Sequence, residues 1–313
     1  MKKVVVFGGS GFIGGNLVLS LVEHKYCVKV YTRDKEKAVR LKLHGNLGQV
    51  DIIEGKLSNF DLIEKLIAEC DIVVNLVGSI NETNSVASGY LHEVFPCNIA
   101  KFADKHGKKF IHFSAMGVDI ASGSLYAKSK LAGEKKVQEI CKSFVIIRPN
   151  LVFGAEDSFF NKFARISRFL PFMPVFGKGH NLLQPVFVCD VVSFVIDLIV
   201  KKKFGGVHEI CGPRTYTLRE LFRQILGITG RKRLIVNVPF FVASKLAFLF
   251  ELKIVSFIFR PITGTLDPLI TRDQLELMKY DITASGRGTS VKIGKTRLEE
   301  VLPKYLEVYK KLA

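Results

Sequence analysis

"KKVVVFGGSGFIGGNLVLSLVEHKY", residues 2–26, decides the fold. Val4 to Phe7 form an unbroken apolar run that stops at glycine, which predicts a strand buried on both faces. Phe12, Ile13, Leu17, Leu21 and Val22 then recur at helical spacing. Between strand and helix stand Gly8, Gly11 and Gly14, a GxxGxxG turn, with Ser10 inside it. A backbone that passes close to a pyrophosphate tolerates no Cβ, and a helix N-terminus offers free N–H groups and partial positive charge to the phosphates. Gly14 lets the helix approach the strand. Strand, glycine turn and helix in this order predict a dinucleotide site. The same glycines interrupt the apolar run, so the stretch does not read as a signal peptide.

The alternation continues outward. Strands are predicted in "CVKVYT" (27–32), "QVDIIEG" (49–55), "DIVVNLVG" (71–78), "KKFIHFS" (108–114) and "FVIIRP" (144–149), with helical patterns between them. Apolar strands alternating with helices give an α/β protein, a Rossmann-type doubly wound parallel sheet with a smaller C-terminal lobe. The expected division is 1–154 for the nucleotide-binding domain and 155–313 for a substrate or partner lobe, with later segments free to return to the sheet.

The end of the second strand chooses the cofactor. An acidic residue there would bind the ribose hydroxyls of NAD. Here the chain reads "VYTRD", and Arg33 can pair with a 2′-phosphate, so NADP(H) is expected ahead of NAD(H). Asp34 is expected to cap the next helix.

Tyr126 and Lys130, four residues apart in "LYAKSKLAGEK" (125–135), share a helix face. An ammonium beside a phenol stabilises phenolate and lowers the tyrosine pKa, giving a usable acid/base. The same ammonium can hold a nicotinamide ribose. The pair supports two readings, a working reductase and a cofactor anchor without turnover.

The 313 residues carry a net charge of +17. That excess favours an acidic partner such as anionic lipid, acidic protein or a phosphorylated ligand. The lysines are scattered, and no nucleic-acid motif is present, so no nucleic-acid partner is expected. Cys27, Cys70, Cys97, Cys141, Cys189 and Cys211 have no CxxC spacing and read as buried free thiols, and no metal site is expected. No uninterrupted apolar run reaches membrane-spanning length.

With "GGSGFIGG", "VVNLVG", "FIHFSAMG", "YAKSKLAGEK", "IIRPNLVFG" and "QPVFVCDVV", the chain resembles the short-chain dehydrogenase/reductase superfamily in its extended or atypical branch. "FGAEDSFFNKFA", "CGPRTYTLREL" and "LITRDQLELMKYD" narrow the resemblance to the NADPH-binding accessory subunits of respiratory complex I and their bacterial relatives. The resemblance implies that Gly8, Ser10, Gly11, Phe12, Ile13 and Gly14 cradle pyrophosphate and that Arg33 meets the 2′-phosphate. It implies Leu57 at adenine, and Leu76, Val77 and Gly78 along the adenosine. Tyr126 and Lys130 would meet the nicotinamide ribose and Pro149 the nicotinamide. Catalysis, if present, would use Tyr126, Lys130 and Ser114.

Two departures stand out. Lys56 occupies the place of the aspartate that often binds adenine in this family, and lysine cannot accept that bond. It would instead add positive charge near the cofactor phosphate. After Ser114 come Ala115 and Met116, so a reactive serine one or two places later would be missing, and with it part of the stabilisation of an oxyanion.

In the second half, Phe159, Phe160, Phe163, Phe169 and Phe172 lie among Lys162, Arg165 and Arg168 and read as core with a basic outer face. Residues 238–264 are strongly apolar but carry Lys245, Glu251 and Lys253. They read as a membrane-interface or partner-docking helix, with burial in the chain's own lobe as the alternative. "KTRLEEVLPKYLEVYKKL" (295–312) reads as a short amphipathic helix interrupted near Pro303. The resemblance implies an accessory or assembly subunit of the membrane-bound NADH:quinone oxidoreductase, cytoplasmic and peripheral at the inner face of the inner membrane or at its mitochondrial-matrix equivalent. A membrane-bound respiratory complex or an anionic membrane surface is the expected partner. The alternative is a soluble NADPH-dependent reductase or epimerase/dehydratase acting on a small carbonyl or sugar-like substrate.

Overall fold

The computed structural model describes residues 1–82, 84–252, 255, 257, 260 and 268–310. Much of 253–264 therefore lies outside the described residues, and the apolar stretch 238–264 is represented mainly by its first helix.

The expected alternation is present. Strands β1 (Lys3–Phe7), β2 (Cys27–Thr32), β3 (Val50–Glu54), β4 (Ile72–Asn75), β5 (Lys109–Phe113) and β6 (Phe144–Pro149) alternate with α1 (Phe12–Glu23), α2 (Lys35–Val39), α3 (Phe60–Ala68), α4 (Ser85–Gly89), α5 (Phe95–Lys105) and α6 (Leu125–Ile140). Among the described residues the sheet has eight strands. Its order runs from the strand Ser290–Ile293 through Val207–Cys211, β6, β5, β4, β1 and β2 to β3. Every neighbouring pair is parallel. The order reverses between β1 and β4, which opens a crevice at the strand C-termini there.

The unbroken apolar runs have their predicted cause. Val4, Val5, Val6 and Phe7 are fully buried because helices cover both faces. Leu17, Val18 and Leu21 of α1, with α8 (Val188–Val200), pack on one face. Ile63 and Ile67 of α3, Ile99 of α5 and Val137 of α6 pack on the other. Each such large aliphatic burial contributes roughly 1.5–3 kcal/mol.

After β6 the chain builds a second core. Phe160 and Phe163 of α7 (Phe159–Phe169) meet Leu221, Phe222 and Ile225 of α9 (Leu218–Ile228). The aromatic-rich stretch is thus core on one side, while Phe169 and Phe172 remain exposed. The helix Leu298–Leu306 joins the same core through Leu298, Leu302 and Leu306. It runs through Pro303 without the expected interruption. Three leucines buried on one face outweigh the one hydrogen bond that proline removes. Helix α10 (Phe240–Phe250) lies at the edge of the lobe, with only Ala243 and Ala247 buried.

All six cysteines are free, but only Cys70, Cys141 and Cys211 are buried. Cys189 is exposed because it takes the outward face of α8.

Candidate functional site

The glycine turn is built as its chemistry requires. Gly8 ends β1 with φ +80, a left-handed conformation that favours glycine. A Cβ there would lie 3.0 Å from the Leu76 carbonyl carbon at the end of β4. A Cβ on Gly14 would lie 2.7 Å from the Gly9 Cα and overlap the Gly8 carbonyl oxygen, so α1 reaches the turn only because Gly14 is bare. At Gly11 a Cβ would meet just the Gly8 carbonyl oxygen, at 3.4 Å. The N-terminus of α1 has no side-chain cap and no acidic residue in its first turn. Orphan N–H groups and the positive end of the helix dipole therefore face this backbone cradle, which suits a diphosphate. Phe12 and Ile13 contribute backbone here, since their side chains are partly buried in the sheet core. Ser10 Oγ pairs with Thr32 Oγ1 at 3.0 Å and ties the turn to the end of β2.

Arg33 is exposed beyond β2. Asp34 accepts from the Lys37 N–H and caps α2, as expected. Lys56 is exposed, and its carbonyl accepts from the Tyr31 hydroxyl at 2.7 Å. Leu57 is half-buried against the core under α3. Leu76 and Val77 are half-buried at the end of β4, where the Val77 N–H donates to Asn75 Oδ1. A Cβ on exposed Gly78 would lie 3.1 Å from Lys130 Nζ. The predicted adenosine and ribose residues thus follow the strand ends β1, β2, β3 and β4 in order.

Helix α6 brings Tyr126 and Lys130 to one face. Lys130 is 4% exposed, and its Nζ donates to the Phe113 carbonyl at 2.8 Å. Burial lowers its pKa to about 8, against the pull of Glu134. Nζ stands 6.0 Å from the Tyr126 ring centre. The phenol shifts opposite to the sequence expectation. Burial pushes its pKa up, and the Asp273 carboxylate raises it further. Asp273 accepts from Ser124 Oγ (2.8 Å), the Leu125 N–H (2.6 Å) and the Tyr126 N–H (3.2 Å), and so caps α6 from the far lobe.

Beneath the pair sits His92, fully buried, its ring edge-on to Tyr126 at 5.1 Å. Its Nε2 accepts the Ser79 N–H at 3.1 Å, which places its proton on Nδ1, 3.0 Å from Ser129 Oγ. Burial, then the Lys130 charge, lowers its pKa to about 3. His92 therefore stays neutral and stitches the loop after β4 to α6. Ser114 is buried, and its Oγ has no hydrogen-bond partner among the described residues. Met116 is buried and its thioether accepts from Asn150 Nδ2 at 3.1 Å. Pro149 is buried in β6, its carbonyl accepting the Met116 N–H.

The profile of the NAD dependent epimerase/dehydratase family matches residues 4–211. The chain belongs to that family. Within the epimerase/dehydratase family it is 31% identical over 275 residues to NADH dehydrogenase [ubiquinone] 1 alpha subcomplex subunit 9, mitochondrial, of Mus musculus, covering 87% of this chain and 70% of that protein. It is 23% identical over 239 residues to the ceramide reductase of Caulobacter vibrioides, covering 75% and 73%. UDP-glucose 4-epimerase of Thermotoga maritima, solved with UDP-glucose, superposes with a TM-score of 0.66 at 20% identity over 98% of both chains, a likeness of fold.

Sequence reasoning about this family member missed His92, Asn150 and Asp273. His92 carried no local signal. Asp273 lies in "TRDQ", whose Thr271 and Gln274 form a capping box that marks a helix start, but its use at α6 is a long-range contact. Among the described residues no cluster of His, Cys, Asp and Glu suits a metal ion, and no helix is long and apolar enough to cross a membrane.

Proposed function

We propose that this chain is a nucleotide-binding accessory or assembly subunit of membrane-bound NADH:quinone oxidoreductase, holding NADPH in preference to NADH and turning over little or no substrate. The likeness to mouse subunit 9 across 87% of the chain carries the reading. The family supplies an NAD(P) site, and the cradle at Gly8, Gly11 and Gly14 is shaped for its diphosphate. Exposed Arg33 is the group for a 2′-phosphate. Leu57, Leu76, Val77 and Gly78 line the adenosine path. Lys130, with two ammonium hydrogens left after Phe113, and Tyr126 anchor the nicotinamide ribose, beside Pro149. The division near 154 into a nucleotide domain and a partner lobe belongs to the same reading.

The chemistry at Tyr126 supports anchoring over turnover. A proton donor works best with a pKa near the working pH, and this phenol is pushed away from it. The positions after Ser114 offer no hydroxyl, and buried Met116 stands there instead.

The partner face is α10. Phe241 is 67% exposed and Phe248 52%, with Leu246 and Leu249 beside them. Lys245 lies over the Phe241 ring and Arg272 over Phe248. Exposed rings flanked by cations suit the headgroup boundary of an anionic membrane, here the inner face of the membrane that holds the complex.

The kept Tyr–Lys pair and the ceramide reductase likeness favour a second reading, a free reductase or epimerase/dehydratase acting on a small-molecule substrate. Fractionation separates the two. An accessory subunit travels with membranes and quinone reductase activity, and Tyr126→Phe leaves its assembly intact. A protein that stays soluble and loses turnover on Tyr126→Phe, with nucleotide still bound, establishes the second reading instead. Arg33→Ala should erase most of the NADPH preference in a binding titration, and an unchanged preference removes Arg33 from the site.

A further inference from the structure

The crevice at the ends of β5 and β6 is bounded by Met116, Gly117, Asn150 and the N-terminus of α6, the side of the sheet edge where an α/β protein receives its ligand. We propose that residues 271–286 form a strap that fills this crevice, so that the chain's own backbone and Ile282 stand where a small-molecule substrate would bind. The proposal deepens the accessory-subunit reading, on which its functional meaning rests.

Four sets of contacts carry it. At one end Asp273 takes the Ser124 hydroxyl and the Leu125 and Tyr126 N–H groups, while Gln274 Nε2 donates to Asn81 Oδ1 at 2.8 Å. In the middle Leu277 and Tyr280 pack on Val118, Ala121 and Ala127. The side chain of Ile282 then lies against Gly117, whose φ is +85 and whose Cβ, if present, would be 3.2 Å from Ile282 Cγ1. At the far end the Ser285 hydroxyl and the Ser285 and Gly286 N–H groups donate to buried Glu209.

Asn150 makes the occupancy specific. It is buried, and its Nδ2 donates to the Ile282 carbonyl at 2.7 Å and to Met116 Sδ at 3.1 Å. Its Oδ1 accepts the Leu151 N–H at 2.8 Å and the Gln184 N–H at 3.0 Å. Two donor hydrogens and two lone pairs are all an asparagine has. Gln184 Nε2 likewise donates to the Gly212 carbonyl while its Oε1 accepts the Ala284 N–H. Asn150 and Gln184 are thus tied to the strap, while the buried Ser114 hydroxyl at the end of β5 keeps no partner among the described residues, and a substrate could engage Asn150 only by displacing the strap.

The strap's outer side is fixed to the proposed partner face. Ile270 and Leu275 pack with Ala243 and Ala247 of α10, and the Arg272 N–H and Nε donate to Glu251 at 2.8 and 3.0 Å.

Peroxide footprinting of the full-length chain tests this, because the methionines are suitably placed. Met116 is buried and shares the Asn150 Nδ2 group with the Ile282 carbonyl, Met173 is fully buried in the second lobe, and Met1 is 73% exposed. In the wild type Met116 should oxidise at least about tenfold more slowly than Met1, as expected for a site reached only through local opening. Asp273→Asn and Ile282→Gly should each raise the Met116 rate about tenfold while Met173 stays protected. Wild-type Met116 oxidising as fast as Met1 overturns the strap, and so does a Met116 rate that neither variant changes. If a variant unfolds, Met173 oxidises as well, and the wild-type rate together with the other variant decides. Absence of the protein from quinone reductase fractions would count against the accessory-subunit reading without altering any of these rates.

Discussion

Gly11 and Gly117 both lie just past the C-terminal end of a parallel strand, and the molecule uses them in opposite ways. A side chain at Gly11 would meet only the Gly8 carbonyl oxygen, beside an uncapped helix N-terminus. One at Gly117 would meet Ile282 of the same chain. A doubly wound sheet offers a crevice along its whole C-terminal edge. Here the β1–β4 part keeps bare backbone and orphan N–H groups suited to an anion, whereas at the β5–β6 part Asn150 and Gln184 are hydrogen-bonded to residues 282 and 284 of the strap. A shared fold therefore conserves the place for a ligand without conserving room for one.

The sharpest way to break this contrast is at the wall of the filled end. Arg148 Nε and its terminal nitrogen donate to buried Glu134 at 2.9 and 2.6 Å. Glu134→Ala would strand the guanidinium, and denaturant unfolding should show a loss of about 3–5 kcal/mol. A loss below about 1 kcal/mol would mean that Asp119, 3.3 Å away, and water suffice for Arg148, and that this wall is not rigid.

Gly14→Ala comes next. Forcing the helix away from the Gly8 carbonyl should cost about 1–3 kcal/mol and abolish measurable dinucleotide binding in a fluorescence titration. Retained binding would place the nucleotide elsewhere.

Acid should distinguish the two ends. The folded pKa of His92 is lowered to about 3, and that of His112 well below 6.5, both chiefly by burial. The unfolded chain therefore binds protons below pH 6.5 that the native state refuses. The stability these neutral histidines confer is complete above 6.5 and falls as pH drops, by about 1.4 kcal/mol per group at pH 5.5. Hydrogen exchange should then quicken around residues 78–93 and 110–130 before it quickens in β1–β3. His92→Asn should flatten the stability slope between pH 6.5 and 5, and a flat wild-type profile would refute the assignment.

The smallest effect on folding is expected at Gly11→Ala. The backbone there is extended and the added methyl meets one atom at 3.4 Å, so the melting temperature should barely move. Dinucleotide affinity should still fall about tenfold, the scale of one weakened hydrogen bond to a charged group. Equal affinity would show that phosphate does not approach this face.

Sequence alone revealed whatever rests on neighbours in the chain. The glycine turn, the six strands up to Pro149, the cap at Asp34 and the Tyr126–Lys130 spacing are all written within a few residues. Pairings across the molecule left no such trace. Asp273 meets Tyr126 from 147 residues away, and Ile282 meets Asn150 from 132. The phenol was misjudged for this reason, because its shift comes from burial and from Asp273 rather than from the lysine one turn along the helix. Strands Val207–Cys211 and Ser290–Ile293 escaped notice because the intervening lobe breaks the alternation that exposed the others. Pro303 misled in the other direction, since a local rule against proline gave way to three leucines packed in a distant core.

The late position of the strap and the outermost strand also sets an order of events during synthesis. A growing chain that has reached β6 already carries the glycine cradle, Tyr126 and Lys130, while everything that covers the neighbouring crevice is still to be made. Dinucleotide is thus expected to enter before the chain finishes and to act as a template for the closing segments. Full-length protein refolded with NADPH should then reach its native exchange pattern faster than protein refolded without it, and equal rates would show that loading comes last.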